Sequence, residues 1–268
     1  MHIIDSHFHW WPRSVSERFC KRKTLPRAHV NEKGGYTYLR EENVDYILNS
    51  WTEWFDLDKQ LEHMDGLGHQ VDVVCSIGPF SVFFSDLPAE EGRDWALMWN
   101  EEMAGAQRKY PGRLWASAAV PLVDTRIAIE VVDDAVNRLG LMERHPNLKV
   151  VLSHTGGALP YQSGRMDKNG KAAKLPRPPS EYIKRMYTDT VSPHSAGMKF
   201  AIEYYGIDNV MYGTDYPCWD PAPCLKLLEQ VKLSDADKQK LFYSNARRIL
   251  NLRDPAPAKK AAREPALA

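Results

Sequence analysis

The sequence has no excess of charge of either sign. Its 268 residues include 35 lysines and arginines and 35 aspartates and glutamates, so the formal net charge at neutral pH is zero. A protein that binds nucleic acid or an anionic membrane surface needs clustered positive charge to neutralise phosphates. The balanced composition therefore predicts neither nucleic acid nor a membrane as a partner.

Long apolar runs and abundant cysteine are also missing. No stretch approaches the ~18 uninterrupted apolar residues that a membrane-spanning helix needs. The opening MHIIDSHFHW carries an acid at Asp5 and no apolar run behind a positive charge, which is not typical of a signal peptide. The four cysteines form no C-x-x-C pair and are too few for a disulfide scaffold. We therefore expect a soluble protein of the cytoplasm.

Apolar runs of strand length alternate with amphipathic helical stretches along the chain. The predicted strands are Ile3–Phe8, Val71–Ile77, Leu114–Val120, Val150–Ser153, Met186–Thr190 and Val210–Gly213. This alternation predicts an α/β fold with a parallel sheet covered by helices. A (β/α)8 TIM-type barrel is favoured over an open doubly wound sheet, because the latter needs a glycine-rich turn after the first strand and DSHFHWWPR contains no glycine.

Helical periodicity and terminal signals set the remaining organisation. The predicted helices are Leu57–Leu67, Glu90–Tyr110, a helix from about Thr125, Ser195–Tyr205, Ala222–Val231 and Ser234–Asn251. Ser234 is the expected N-cap of the last helix, with Asp237 at its third position. The segments Trp10–Asn49 and Thr155–Pro179 are interpreted as long loops. Residues 1–253 form one predicted domain, and the Ala-, Pro- and Lys-rich segment 254–268 is predicted to be disordered.

Chemistry-bearing residues follow the ends of three predicted strands. His7 and His9 are two apart on the first strand and share a face with Asp5, so the two imidazoles form a natural half of a divalent metal site. Asp215, in YGTDYP, is placed to complete such a site or to take a proton from metal-bound water. His154, in SHTGG, suits acid/base work near neutral pH. Taken singly, each also fits an ordinary structural role.

Together these motifs resemble the metal-dependent amidohydrolase superfamily, in the branch of aminocarboxymuconate-semialdehyde decarboxylase and related aromatic-acid decarboxylases. The resemblance is densest from SHTGGALPYQSGRMD through PRPPSEYIKRMYTDT to DNVMYGTDYP. Weaker similarity covers Leu57–Gly68, Tyr110–Asp124 (YPGRLWASAAVPLVD) and Asn245–Leu250.

The resemblance implies roles for five residues. His7, His9 and Asp215 would bind zinc or another divalent metal such as Mn²⁺, and His154 would be a catalytic acid/base beside it. Arg165 would bind a substrate carboxylate, a task that suits the planar guanidinium. The implied enzyme is a homodimeric, non-oxidative decarboxylase of a small unsaturated or aromatic carboxylic acid. Hydrolysis of an ester, lactone or amide by a metal-activated water is the alternative.

The sequence departs from the family pattern at one place. The further histidine ligand expected after the fifth barrel strand is missing, and six strands are recognisable where a closed barrel has eight. The apparent seam is Gly140–Leu141, which predicts a barrel that lacks two β/α units. His145 and His194 are weak candidates to replace the missing ligand. An inactive, internally truncated form of such an enzyme is therefore a third hypothesis.

Overall fold

A computed structural model describes residues 1–41, 44–46, 52–76, 87–121, 149–169 and 178–253, with a few further residues between 124 and 134. The predicted disordered segment 254–268, the seam at Gly140–Leu141 and His145 lie outside the described residues. Over the described part of the chain, no helix is both long and apolar enough to cross a membrane.

Six parallel strands form the frame that carries the site, as the alternating pattern predicts. Their bounds are β1 His2–His9, β5 Gln70–Ser76, β6 Leu114–Ala116, β7 Val151–Leu152, β8 Tyr187–Asp189 and β9 Val210–Met211. They pair in the orders β1-β5-β6 and β7-β8-β9.

The segment after β9 joins the two sheets. Residues 212–216 run beside β1, with Ser6 N donating to Tyr212 O at 2.9 Å and His9 N donating to Tyr216 O at 2.8 Å. The strand order across the joined sheet is therefore β6-β5-β1-β9-β8-β7. Among the described residues, β6 pairs only with β5 and β7 only with β8. Val150 and Val151, at the outer strand β7, are 37% and 39% exposed.

Helices pack beside these strands. They are α1 Arg13–Cys20, α2 Leu57–Asp65, α3 Ala89–Lys109, α4 Leu159–Asn169, α5 Pro179–Ile183, α6 Ser195–Tyr205, α7 Pro221–Glu229, α8 Asp235–Gln239 and α9 Asn245–Ile249. Residues 126–127 and 130–131 are also helical. The Ser234 hydroxyl accepts from Asp237 N at 3.2 Å, which confirms the predicted N-cap. A π-helical turn, Lys240–Ser244, joins α8 to α9 within the single helix predicted there.

The predicted third strand is too long. It ends at Ala116 instead of Val120 because the chain then leaves the sheet to bond a helix. Ala119 N donates to Asn100 Oδ1 at 2.7 Å, and Asn100 Nδ2 donates to Ala119 O at 3.1 Å. The fully buried Asn100 side chain thus replaces the ladder partners that a longer strand would use.

The prediction of two long loops is wrong. Trp10–Asn49 contains α1 and an antiparallel sheet made of β2 Arg27–Val30, β3 Tyr36–Glu41 and β4 Val44–Tyr46. Thr155–Pro179 contains α4. The antiparallel sheet is anchored by aromatic packing, since Tyr38 lies against Trp11 with ring centroids 4.9 Å apart and Trp11 lies against Trp99 at 4.6 Å. These contacts join segments distant in sequence.

Candidate metal centre

The end of β1 presents two histidines to the same point. The pairing register of β1 with β5 shifts between Asp5 and Phe8, so the strand is irregular where His7 lies. Both imidazoles nevertheless point inward, and His7 Nε2 lies 3.1 Å from His9 Nε2. Both side chains are buried, with exposures of 11% and 7%. The predicted pairing of these residues on one face is thus observed.

Asp215 comes to the same point from the segment after β9. Its N–H donates to His7 O at 2.7 Å, which ties its backbone to β1. Its Oδ1 lies 2.8 Å from His9 Nε2 and 3.4 Å from His7 Nε2. The residue has a φ of 62°, a left-handed conformation that costs a non-glycine residue about 1–3 kcal/mol. Tertiary contacts therefore hold this carboxylate in place.

His154 faces the other oxygen of Asp215. It lies in a short 3-10 turn, His154–Gly156, directly after β7. Its Nε2 is 3.5 Å from Asp215 Oδ2, and its ring stacks on His7 with centroids 5.1 Å apart. At 57% exposure it is the solvent-facing member of the group. Gly156 packs against the Tyr205 hydroxyl and leaves no room for a side chain.

Two side chains that the sequence analysis missed hold the histidines from behind. Asp189, at the end of β8, has Oδ2 2.6 Å from His7 Nδ1, and Ser76 Oγ is 2.9 Å from His9 Nδ1. Partners of this kind orient histidines that bind metals and set their tautomer. The available signal for Asp189 was its place near the C-terminal end of a predicted strand, at the same edge of the sheet as His154 and Asp215.

Asp5 supports the site without facing it. Its carboxylate accepts from Thr214 N at 3.1 Å, from Thr214 Oγ1 at 2.5 Å and from His7 N at 3.1 Å. Asp5 is fully buried, and this burial raises its pKa to about 7. Its bonds fix Thr214, the residue before Asp215, relative to β1.

Burial and neighbouring carboxylates shift the pKa values of the four central groups. Burial alone would lower the pKa of His7, but the hydrogen bond and charge of Asp189 outweigh it and raise this pKa. Burial lowers the pKa of His9. The hydrogen bond to Asp215 raises the pKa of His154. Burial opposes ionisation of Asp215, yet bonds from His154 and His9 hold its pKa well below the usual value. Near neutral pH, Asp215 is a carboxylate and His9 a neutral imidazole, the states that bind metal ions.

The spacing of the donor atoms fits a divalent cation. A tetrahedral ion with bonds of about 2.0–2.1 Å separates its ligand atoms by about 3.3 Å. His7 Nε2, His9 Nε2 and Asp215 Oδ1 lie 3.1, 3.4 and 2.8 Å apart, close to one face of such a tetrahedron. Donor atoms of His7, His154 and Asp215 also lie within 4.8 Å of one another. Imidazole nitrogens with one carboxylate oxygen suit zinc and manganese.

Two other predicted residues lie elsewhere. Arg165 is exposed on α4, and in the described part of the chain its guanidinium contacts none of the four central side chains. His194 is the N-cap of α6, where its Nδ1 accepts from Ala196 N at 3.2 Å. This capping role explains His194 without a metal.

Comparison with known proteins finds similarity in the C-terminal half of the chain. A model of the amidohydrolase family matches residues 127–252. The 2-amino-3-carboxymuconate-6-semialdehyde decarboxylase of Dictyostelium discoideum is 34% identical over 125 residues, which make up 43% of this chain and 34% of that protein. The matched segment thus spans about a third of the relative's length, and the relative is the longer of the two.

Solved structures share the fold over nearly the whole chain. The 5-carboxyvanillate decarboxylase of Sphingomonas paucimobilis aligns with a TM-score of 0.74 at 17% identity, covering 94% of this chain and 99% of that chain. A dihydroxybenzoic acid decarboxylase from Polaromonas sp. JS666, solved with bound manganese, aligns with a TM-score of 0.68 at 16% identity, covering 93% and 97%. At these identities the likeness shows a shared fold alone.

Proposed function

We propose that this chain is a metal-dependent carboxy-lyase of the amidohydrolase superfamily, in the branch of aminocarboxymuconate-semialdehyde decarboxylase, because its C-terminal half is similar to that family. Its substrate would be a small unsaturated or aromatic carboxylic acid. The observation that carries the proposal is the triangle of His7 Nε2, His9 Nε2 and Asp215 Oδ1, with His154 against the remaining carboxylate oxygen.

His7, His9 and Asp215 would hold the divalent cation, zinc or manganese. Such a cation supplies Lewis-acid polarisation of a bound oxygen. The spacing of the three donor atoms supports this ligand set, and the manganese of the Polaromonas protein supports a divalent ion of this size. Asp189 and Ser76 keep the two imidazoles aimed at the ion.

His154 would move the proton. In non-oxidative decarboxylation the bond from carbon to the carboxylate breaks, CO₂ leaves, and a proton replaces it on that carbon. The hydrogen bond with Asp215 raises the pKa of His154, which favours the protonated ring, and the ring is 57% exposed, so a substrate would reach it from solvent. Asp215, 3.5 Å away, would hold the imidazolium in place.

Arg165 would bind a substrate carboxylate. Its position on the exposed surface of α4 suits contact with a substrate held by a second copy of the chain, so this role goes with a homodimer. The cytoplasmic location belongs to the same proposal and is supported by four free cysteines.

We also propose that the barrel lacks two β/α units between β6 and β7. The two outer strands of the joined sheet are the ones that flank Gly140–Leu141 in the chain, and the matched segment forms a larger share of this chain than of its longer relative. The expected further histidine ligand belongs to the missing part. Loss of activity in this chain is therefore the main competing outcome.

Metal titration of the chelator-treated protein tests the ligand set. Calorimetry with Zn²⁺ and Mn²⁺ should give one site per chain, and His7→Ala, His9→Ala or Asp215→Ala should each weaken binding by at least tenfold. His29→Ala, at an exposed histidine of β2, is the matched control and should bind as the wild type does. A wild-type protein that binds no metal would overturn the proposal and support the inactive form.

A product assay tests the reaction. With a panel of hydroxybenzoic acids, a decarboxylase releases CO₂ in step with loss of the acid. Esters, lactones and amides form the second panel. Cleavage of these with formation of acid, and no CO₂ from the first panel, would establish the hydrolase instead.

A further inference from the structure

One carboxylate connects three parts of the site. Asp189 Oδ2 lies 2.6 Å from His7 Nδ1 and accepts from His154 N at 3.2 Å, while Oδ1 accepts from Thr155 N at 3.2 Å and from Val191 N at 3.0 Å. The residue is only 2% exposed. Four donors on two oxygens satisfy this carboxylate completely, so the geometry leaves it no freedom to turn.

We infer that Asp189 is a positioning residue, which fixes both the tautomer of His7 and the turn that presents His154. The inference deepens the proposed function and rests on it for the identity of the metal ligands. None of the roles proposed above requires Asp189 to touch substrate or metal.

The tautomer follows from what an ionised carboxylate can do. It only accepts hydrogen bonds, so the proton of a neutral His7 ring must lie on Nδ1. Nε2 then carries a lone pair, and it is Nε2 that faces Asp215 and His9. The wrong tautomer would place a proton where the cation binds.

The turn follows from the two backbone N–H groups. His154 and Thr155 have φ values of 56° and 55°, a left-handed pair that non-glycine residues seldom adopt. In this conformation the two consecutive N–H groups converge on Asp189, and successive N–H groups arranged in this way favour a bound anion. The negative charge of Asp189 thus stabilises the conformation that carries the His154 ring to Asp215.

Asp189→Asn is the decisive substitution because it keeps size and removes the charge. If the amide nitrogen of the Asp189→Asn side chain takes the Oδ2 position, this nitrogen opposes only one N–H group, that of His154, and it can donate a hydrogen bond to His7 Nδ1. The flipped orientation would set the amide nitrogen against the N–H groups of both Thr155 and Val191. The variant is therefore expected to donate to His7 and drive the ring to the Nε2–H tautomer.

Two measurements test the inference, with Asp72→Asn as the matched control. Asp72 is a buried carboxylate on β5 that bonds His2 Nε2 at 2.5 Å, the same kind of contact at another place. Asp189→Asn should weaken Zn²⁺ and Mn²⁺ binding 10- to 100-fold, whereas Asp72→Asn should change it less than about twofold. In ¹⁵N NMR of the metal-free wild type, at a pH where His7 is neutral, the His7 proton should lie on Nδ1, and in Asp189→Asn on Nε2.

The outcomes separate this inference from the proposed function. Wild-type metal binding together with equal affinities for Asp189→Asn and Asp72→Asn would overturn the positioning role alone. An Nε2–H tautomer of His7 in the wild type would overturn it even where the variant fails to fold. A wild type that binds no metal but holds His7 as Nδ1–H would overturn the proposed function and leave the positioning role of Asp189 standing.

Discussion

Gly213 offers the sharpest test of how tightly the site is built. A Cβ added at this position would lie 2.8 Å from the Cβ of His7 and 3.0 Å from the Cβ of Asp189. Neither neighbour can rotate away, since a Cβ is fixed to its own backbone. The φ of Gly213 is not positive, so an alanine can adopt its backbone conformation. The obstacle for Gly213→Ala is therefore steric.

The backbone around Gly213 cannot yield without further loss. Gly213 N donates to Thr190 Oγ1, and the same hydroxyl donates to Gly213 O, both at 3.2 Å. Overpacking of this kind costs about 1–3 kcal/mol. The movement that relieves it pushes His7 away from Asp189 or from Asp215, and either shift spoils the ligand triangle. We therefore expect Gly213→Ala to lose stability and at least tenfold in metal affinity together.

Urea unfolding and metal titration measure the two effects. Gly164→Ala is the matched control: its added Cβ would meet nothing within 4 Å in α4, so this helical position should gain about 0.5–1 kcal/mol. A Gly213→Ala protein that unfolds at the wild-type midpoint and binds metal with wild-type affinity would refute the close packing of His7 and Asp189 against this residue.

Three further predictions concern pH, capping and proton transfer. The pKa of Asp5 is about 7 in the native protein against 3.8 when unfolded, so the native metal-free protein binds one proton more than the unfolded chain between these pH values. The free energy of unfolding therefore falls by about 4 kcal/mol as pH rises through that window. Asp5→Asn should remove this fall in urea unfolding, and parallel curves of stability against pH for the two proteins would contradict the prediction. Ser234→Ala should lower the free energy of unfolding by about 1 kcal/mol, and an unchanged urea midpoint would show that the Ser234 N-cap does not stabilise the protein. His154→Gln should lower decarboxylation 10²- to 10⁴-fold at unchanged metal affinity, whereas a large loss of affinity would make His154 a metal ligand instead.

Much of the site was predictable because it follows one rule. In a parallel sheet the carboxyl ends of the strands meet at one edge, so polar residues directly after apolar strands come together there. His154 and Asp215 follow strands in this way, and His7 and His9 lie at the end of β1. The carboxylate oxygens of Asp215 lie 2.8 Å from His9 Nε2, 3.4 Å from His7 Nε2 and 3.5 Å from His154 Nε2. Arg165 follows no strand directly, and its predicted role stays a prediction.

The antiparallel sheet β2-β3-β4 was not predictable in the same way. Apolar and polar residues alternate over only three residues in β3 (Tyr36–Tyr38) and in β4 (Val44–Tyr46), and these short strands are stabilised by contacts across long separations in sequence. The Tyr38 ring on Trp11 and the Tyr38 hydroxyl donating to Ser16 Oγ at 2.8 Å are such contacts. Local pattern carries no information about partners that only the folded chain supplies.

The kind of chemistry follows from local sequence: two histidines on one strand, a third after a later strand, and an aspartate two residues before a proline specify the donor types and the edge where they meet. Their orientation follows from tertiary contacts. The buried carboxylate of Asp189 sets the His7 ring, and the absence of a side chain at Gly213, on the segment between β1 and β8, leaves room for these two side chains to meet. Orientation depends on distances between strands far apart in the chain, and these exist only once the sheet has formed.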